Sequence, residues 1–167
     1  MTTGQTFRIV HLLEAPDVLP ALVRRFVEEW APWYGPDGPG DAEDDLKACH
    51  SQSELPLCLV VLGEKGEVQG TAALKSESVG SEPGVGPWLA AVLVNKDHRG
   101  EGIGTALVEA IEKEAGRLGF EAIYASTNAA AGIMARRQWQ TFGASDSLRG
   151  PVTVYRKQLA SEATKTL

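Results

Sequence analysis

The spacing of hydrophobic positions along the 167-residue chain changes several times, and each change marks an element. Residues 7–13 read as a first strand. Val18, Leu19, Leu22, Val23, Phe26, Val27 and Trp30 fall at steps of one, three and four, which is one face of an amphipathic helix. Pro16 and Asp17 suit its start and Pro32 its stop. Residues 35–40, Gly-Pro-Asp-Gly-Pro-Gly, carry turn chemistry at nearly every position. Residues 41–50 read as a short second helix with acidic residues in its first turn, where the helix dipole favours them.

The second half alternates strand and helix patterns. Residues 57–62 are a continuous apolar run, read as a buried strand, and residues 67–74 return from a turn at Gly63-Glu64-Lys65-Gly66. After a polar, Gly-rich loop at 76–86 comes another buried strand at 88–94. A Gly-rich turn then opens a helix that runs to about residue 118, with Ile103, Leu107, Ile111 and Leu118 on its apolar face and Gly119 at its end. Residues 122–126 read as a strand, 130–141 as a helix and 152–159 as a final strand. This order predicts a single α/β domain over residues 1–160 with a mixed sheet flanked by helices, antiparallel in its N-terminal part and with its parallel part in the second half, followed by a flexible tail at 161–167.

Composition narrows the function. Sixteen basic against 22 acidic residues give a net charge of −6, which argues against nucleic acid or an anionic membrane as a partner. The polar start of the chain has no signal-like apolar region, and no run is long enough to span a bilayer, so the expected location is the cytoplasm. Cys49 and Cys58 read as reduced thiols, and neither they nor His11, His50 and His98 have metal-ligand spacing.

The chemistry concentrates where the strand at 88–94 runs into Arg99-Gly100-Glu101-Gly102-Ile103-Gly104 and then a helix. Amides at a helix N-terminus bind anions, and glycines let a phosphate approach the backbone closely. A Walker loop would need Gly-Lys-Ser/Thr, whereas Thr105 and Ala106 follow Gly104. A dinucleotide fingerprint would need glycine where Thr105 stands. A tight glycine turn with no ligand is a further reading. Arg99, Gly102 and Gly104 do fit Arg/Gln-x-x-Gly-x-Gly/Ala, and residues 87–104 as a whole resemble the pyrophosphate-binding core of the GNAT N-acetyltransferase superfamily. The resemblance extends over almost the whole domain.

That resemblance implies acetyl-CoA as cofactor, lying between splayed parallel strands at 88–94 and 122–126. It implies that the Val92 N–H binds the thioester carbonyl. Leu93 and Val94 would hold pantetheine, and Arg99, Gly100, Glu101, Gly102, Ile103, Gly104 and Thr105 the pyrophosphate, with Asn128 a further cofactor contact. Trp30, Trp33 and Tyr34 would border the acceptor, a small-molecule or peptide amine, and a homodimer is also expected from the family. The acidic run Asp37, Asp41, Glu43, Asp44 and Asp45 reads as a solvated helix start that could also attract a cationic amine. Two family features are missing. Trp88-Leu89-Ala90-Ala91 holds no glutamate base, and counting back four from Gly143 puts Trp139 where many members have an acidic tyrosine. The general acid and base are therefore unassigned, with Tyr124 and Tyr155 as outside candidates. A CoA-binding module with little or no catalysis is the alternative.

Overall fold

The computed structural model describes residues 7–36, 38–49, 51–76, 85–100, 102–127, 130–147 and 150–159. The expected tail, His50, Asp37, Glu101 and Asn128 lie outside the described residues. Seven strands form one sheet: β1 (Arg8–His11), β2 (Leu57–Leu62), β3 (Val68–Lys75), β4 (Trp88–Val94), β5 (Ala122–Thr127), β6 (Gln140–Ser147) and β7 (Gly150–Gln158). The helices are α1 (Leu19–Glu29), α2 (Ala31–Tyr34), α3 (Ala42–Ala48), α4 (Ile103–Arg117) and α5 (Ala131–Arg136). The strand order is β1-β2-β3-β4-β5-β7-β6.

Each sheet face has its own core. α4 and α5 close one, around Leu59, Val61, Leu74, Leu89, Leu107, Ile111 and Ile123. α1 and α3 close the other, around Leu22, Phe26, Leu46, Val60, Leu62 and Leu93. β2 is buried at all six positions because it sits inside the sheet with a helix layer on either side. A strand covered on both faces has no solvent-facing positions to be polar, which is why its sequence does not alternate.

Two expectations change. Pro32 does not simply stop the first helix. The chain turns at Trp30, and Pro32 stands in the first turn of the short α2, where a missing N–H costs nothing. The expected parallel part of the mixed sheet is β4–β5, the one parallel pair among the described strands. The expected helix at 130–141 is α5, ending at Arg136, followed by a strand. Gln138 adopts φ +66, and Trp139 N–H and Gln138 N–H cap the helix through Met134 and Ala135 carbonyls at 2.9 and 3.1 Å. This left-handed cap ends the helix, and Trp139, Thr141 and Phe142 then follow their strand preference. β6 was hidden in the sequence by the helix-forming run before it.

Candidate active site

β4 and β5 pair at only two positions, Trp88↔Tyr124 and Leu89↔Ala125. Beyond them β4 stays with β3 as far as Gly70↔Val94, and β5 stays with β7 as far as Thr127↔Thr153. A wedge-shaped gap opens between the two strands. Its cause is local: the β3–β4 register shifts between Thr71 and Ala73, and Ala91 sits at φ +55. A bulge of this kind bends its strand and re-aims the main chain, and a left-handed non-glycine residue is a strained position typical of working sites.

The bulge decides which groups face the gap. Asn95 N–H donates to Gln69 C=O at 2.9 Å across to β3. Alternation along the strand turns the Leu93 main chain the same way, and a Cβ at Gly70 would lie 2.9 Å from the Leu93 oxygen. Leu93 thus turns its main chain toward β3. Val92 and Val94 turn their main chains toward the gap.

At the wide end of the gap stands the N-terminus of α4. Gly100 and Gly102 take φ +85 and +83, conformations that glycine reaches without strain. The first intrahelical bond runs from Ala106 N–H to Gly102 C=O at 3.0 Å. The amides of Ile103, Gly104 and Thr105 are left without an intrahelical acceptor, and the helix dipole adds to their pull on an anion. A Cβ at Gly104 would approach Ile133 Cδ1 of α5 at 3.0 Å and Val94 Cγ2 of β4 at 3.7 Å, so position 104 looks into the space between α4, α5 and β4. Arg99 extends over the same end, its Nε donating to Val94 C=O at 3.3 Å and its Nη2 lying 3.6 Å from Glu29. This cradle has the chemistry a diphosphate requires.

α5 forms the far wall. Thr127 Oγ1 accepts the Ala130 N–H at 3.2 Å at its start. With the left-handed cap at Gln138, counting back four reaches Met134, which is fully buried, and counting back eleven reaches Thr127. Gly143, used as the anchor in the sequence, lies inside β6. Trp139 belongs to the core: it is buried, and its Nε1 donates to Glu112 Oε2 at 2.9 Å. Arg137 Nη2 and Lys157 Nζ reach Glu112 Oε1 at 2.8 and 2.7 Å. This network, missed in the sequence, ties α4 to the end of α5 and to β7. Its members were spaced too widely to signal one another.

The aromatic residues at the end of α1 are held by packing. Trp30 meets Phe26 edge-on at 5.0 Å, and Tyr34 lies 5.7 Å from Phe26. Tyr34 OH donates to Asp45 Oδ2 at 2.6 Å; burial first, and then Asp45, push its ionisation well above the usual range. Trp33 is partly exposed and lies over Gly40, where a Cβ would collide with its indole. The acidic run is also engaged: Asp41 caps α3 by accepting Asp44 N–H at 3.0 Å, and Glu43 pairs with Lys47 at 2.6 Å. The buried thiols of Cys49 and Cys58 lie in the α1–α3 core, away from the gap. Among the described residues no group of His, Cys, Asp and Glu is placed to hold a metal, and no helix is long and apolar enough to cross a membrane.

Known structures share this architecture. Aminoglycoside 6'-N-acetyltransferase from Enterococcus faecium superposes with a TM-score of 0.72 over 93% of this chain and 98% of its own, at 15% identity. A GCN5-related N-acetyltransferase from Kribbella flavida gives 0.71 over 93% and 99%, at 20% identity. The yncA protein of Salmonella typhimurium, solved with its cofactor acetyl-CoA, gives 0.71 over 95% and 97%, at 19% identity. At these identities the likeness is one of fold. No curated protein sequence matches the chain significantly. The model of the acetyltransferase (GNAT) family matches residues 23–143. That stretch holds the bulged strand, the glycine turn, α4 and α5 together, and the chain belongs to the GNAT acetyltransferase family.

Proposed function

We propose that the protein moves an acetyl group from acetyl-CoA directly to a primary amine of a small molecule or peptide. The observation that carries this reading is the gap between β4 and β5, floored by the bulge at Ala91 and ended by the free amides of α4. In this reading the amides of Ile103, Gly104 and Thr105, with Gly100, Gly102 and Arg99, hold the pyrophosphate. The main chains of Val92 and Val94 hold the pantetheine arm as an added strand would. Val92 N–H is the donor to the thioester carbonyl, in a position to stabilise the oxyanion that develops during attack. Acetyl-CoA supplies the activated acyl group; the protein contributes alignment and that fixed donor. The attacking amine must be neutral, and the departing thiolate takes up a proton.

Trp30, Trp33 and Tyr34 border the acceptor side in this reading, with Tyr34 acting through its shape, since its hydroxyl is committed to Asp45. Glu101 and Asn128 are proposed cofactor contacts that lie outside the described residues. One observation favours a second reading, a CoA-binding module with little or no turnover: Met134, with no acidic proton, stands where spacing from the α5 cap would put the family's tyrosine. Calorimetric titration with acetyl-CoA, followed by thiol release across a panel of amines, separates the two. Binding with acetylation of at least one amine is expected. Binding without acetylation of any would favour the module, and no binding would end both readings.

A further inference from the structure

We propose that the acceptor is a primary amine carried on an aromatic body, seated on the half of the sheet that α1 to α3 leave uncovered, with its nitrogen at Ser126 Oγ. The inference rests on the acetyl-transfer reading and names the substrate class of that site.

Strand alternation puts Tyr124 and Ser126 of β5 on the sheet face opposite Ile123 and Ala125, which belong to the α4 core. Arg156 of β7 is the register partner of Tyr124 and shares its face. Among the described residues, the core closed by α1 and α3 on that face contains no residue of β5, β6 or β7, and Val154, the register partner of Ser126, is buried outside it. What stands there is a ladder of rings. Trp88 lies 5.4 Å from Tyr124, and Tyr124 lies 5.2 Å from Phe142 at 77°. Trp88 is buried, Tyr124 half-buried and Phe142 56% exposed, so the ladder runs from the closed end of the β4–β5 gap out to solvent. Exposed aromatic surface continuous with a cleft is the usual sign of a binding wall.

Charge selects among amines. The Arg156 guanidinium lies 5.8 Å from the Tyr124 ring centre, and its Nε donates to Tyr124 OH at 3.2 Å. A cation already held on this ring disfavours an acceptor with several ammonium groups. Three carboxylates that could have drawn such an acceptor, Asp41, Glu43 and Asp45, are taken up in and around α3. A flat ring stacking on Phe142 and Tyr124 meets no such penalty.

Ser126 fixes where the nitrogen goes. It is the first β5 residue past the last β4–β5 pair, and its Oγ is buried without a hydrogen-bond partner. Buried hydroxyls are nearly always satisfied, so this one points to a missing donor. An amine N–H reaching the vertex would supply it, and would stand beside the Val92 end of the gap. As the N–C bond forms and the C–S bond breaks, the amine loses one proton to solvent and the thiolate gains one, so the sum is amide plus free thiol.

The experiment is a kinetic comparison of phenethylamine, spermidine and an aminoglycoside with acetyl-CoA, read by thiol release, alongside calorimetric acetyl-CoA binding. Phenethylamine should have a kcat/KM on the order of tenfold or more above either polycation. Phe142→Ala should raise its KM by roughly tenfold and leave acetyl-CoA binding unchanged, and Ser126→Ala should lower its kcat/KM by roughly tenfold. Preference for a polycation, an unchanged amine KM in Phe142→Ala, or a dimer that Phe142→Ala dissociates without touching the amine KM would each overturn the proposal while leaving acetyl transfer intact. Failure to bind acetyl-CoA at all would instead remove the reading beneath it.

Discussion

The sheet has two unequal halves. β1 to β4 are covered on both faces, and β2 and β3 are buried almost throughout. β5 and β7 are covered by α4 and α5 on one face, while the other face carries the half-exposed Tyr124, and the exposed edge strand β6 sets Phe142 beside it. The first half supplies stability and a rigid edge. The second supplies open surface beside that edge. The gap lies where the two halves meet, and it exists because β4 bends at Ala91 and remains with β3 rather than following β5. A continuous sheet would have no main-chain edge in its middle; here each half keeps its own pairing, and the junction offers unpaired strand edge to a ligand.

The sharpest way to break this comparison is to fill the junction. Gly104→Glu would send a carboxylate into the space between Ile133 and Val94, against the helix amides that await an anion. Acetyl-CoA affinity should fall by on the order of a hundredfold or more, read by calorimetry, with the fold retained by circular dichroism. Gly104→Ala meets only the flexible tip of Ile133 and should cost far less. Normal binding in the glutamate variant would show that the α4 turn is not the pyrophosphate site.

The covered half was legible in the sequence and the open half was not. β2 and β4 were read with their observed bounds, because burial on both faces leaves an unmistakable apolar run between turn residues. The α4 turn was legible because backbone constraint writes itself as glycine. The splay was available only through family resemblance. Nothing local marks Ala91 as left-handed, since alanine carries no preference for that conformation. β6 was lost because Ala130 to Arg137 is rich in helix formers and Gln138, unlike glycine, does not announce a left-handed cap. Anchoring on Gly143 then misplaced the tyrosine-equivalent position. The Glu112 network was invisible for a different reason: Glu112, Arg137, Trp139 and Lys157 come from separate elements and are joined only by the packing.

That network is where the two halves are fastened behind the site. Glu112 is buried and meets two cations and an indole N–H, and the Arg137 guanidinium is held more firmly protonated by it. Glu112→Ala should lower stability by about 3 kcal/mol, seen as a lower urea midpoint at unchanged slope. Trp139→Phe removes one hydrogen bond to a buried carboxylate and should cost about 1–2 kcal/mol. Because its ring lies in the α4 core and not in the gap, kcat at saturating amine should stay within about twofold of wild type. A hundredfold fall in kcat would place Trp139 in the chemistry.

The smallest effect sharpens the covered half. Tyr34 keeps its proton in the folded state because burial, reinforced by Asp45, opposes the phenolate. The unfolded chain releases that proton near the ordinary value of 10.0. The stability contributed by the protonated Tyr34 is therefore complete below pH 10.0 and is lost as pH rises from there toward the raised folded value. Tyr34→Phe keeps the ring on Phe26 and loses the bond to Asp45, costing about 1 kcal/mol at neutral pH. The gap between the two urea midpoints should hold steady up to about pH 9 and narrow above it. A gap that stays constant into strong alkali would mean that the Tyr34–Asp45 bond does not persist in solution, and the wall formed by α2 would then be looser than its packing implies.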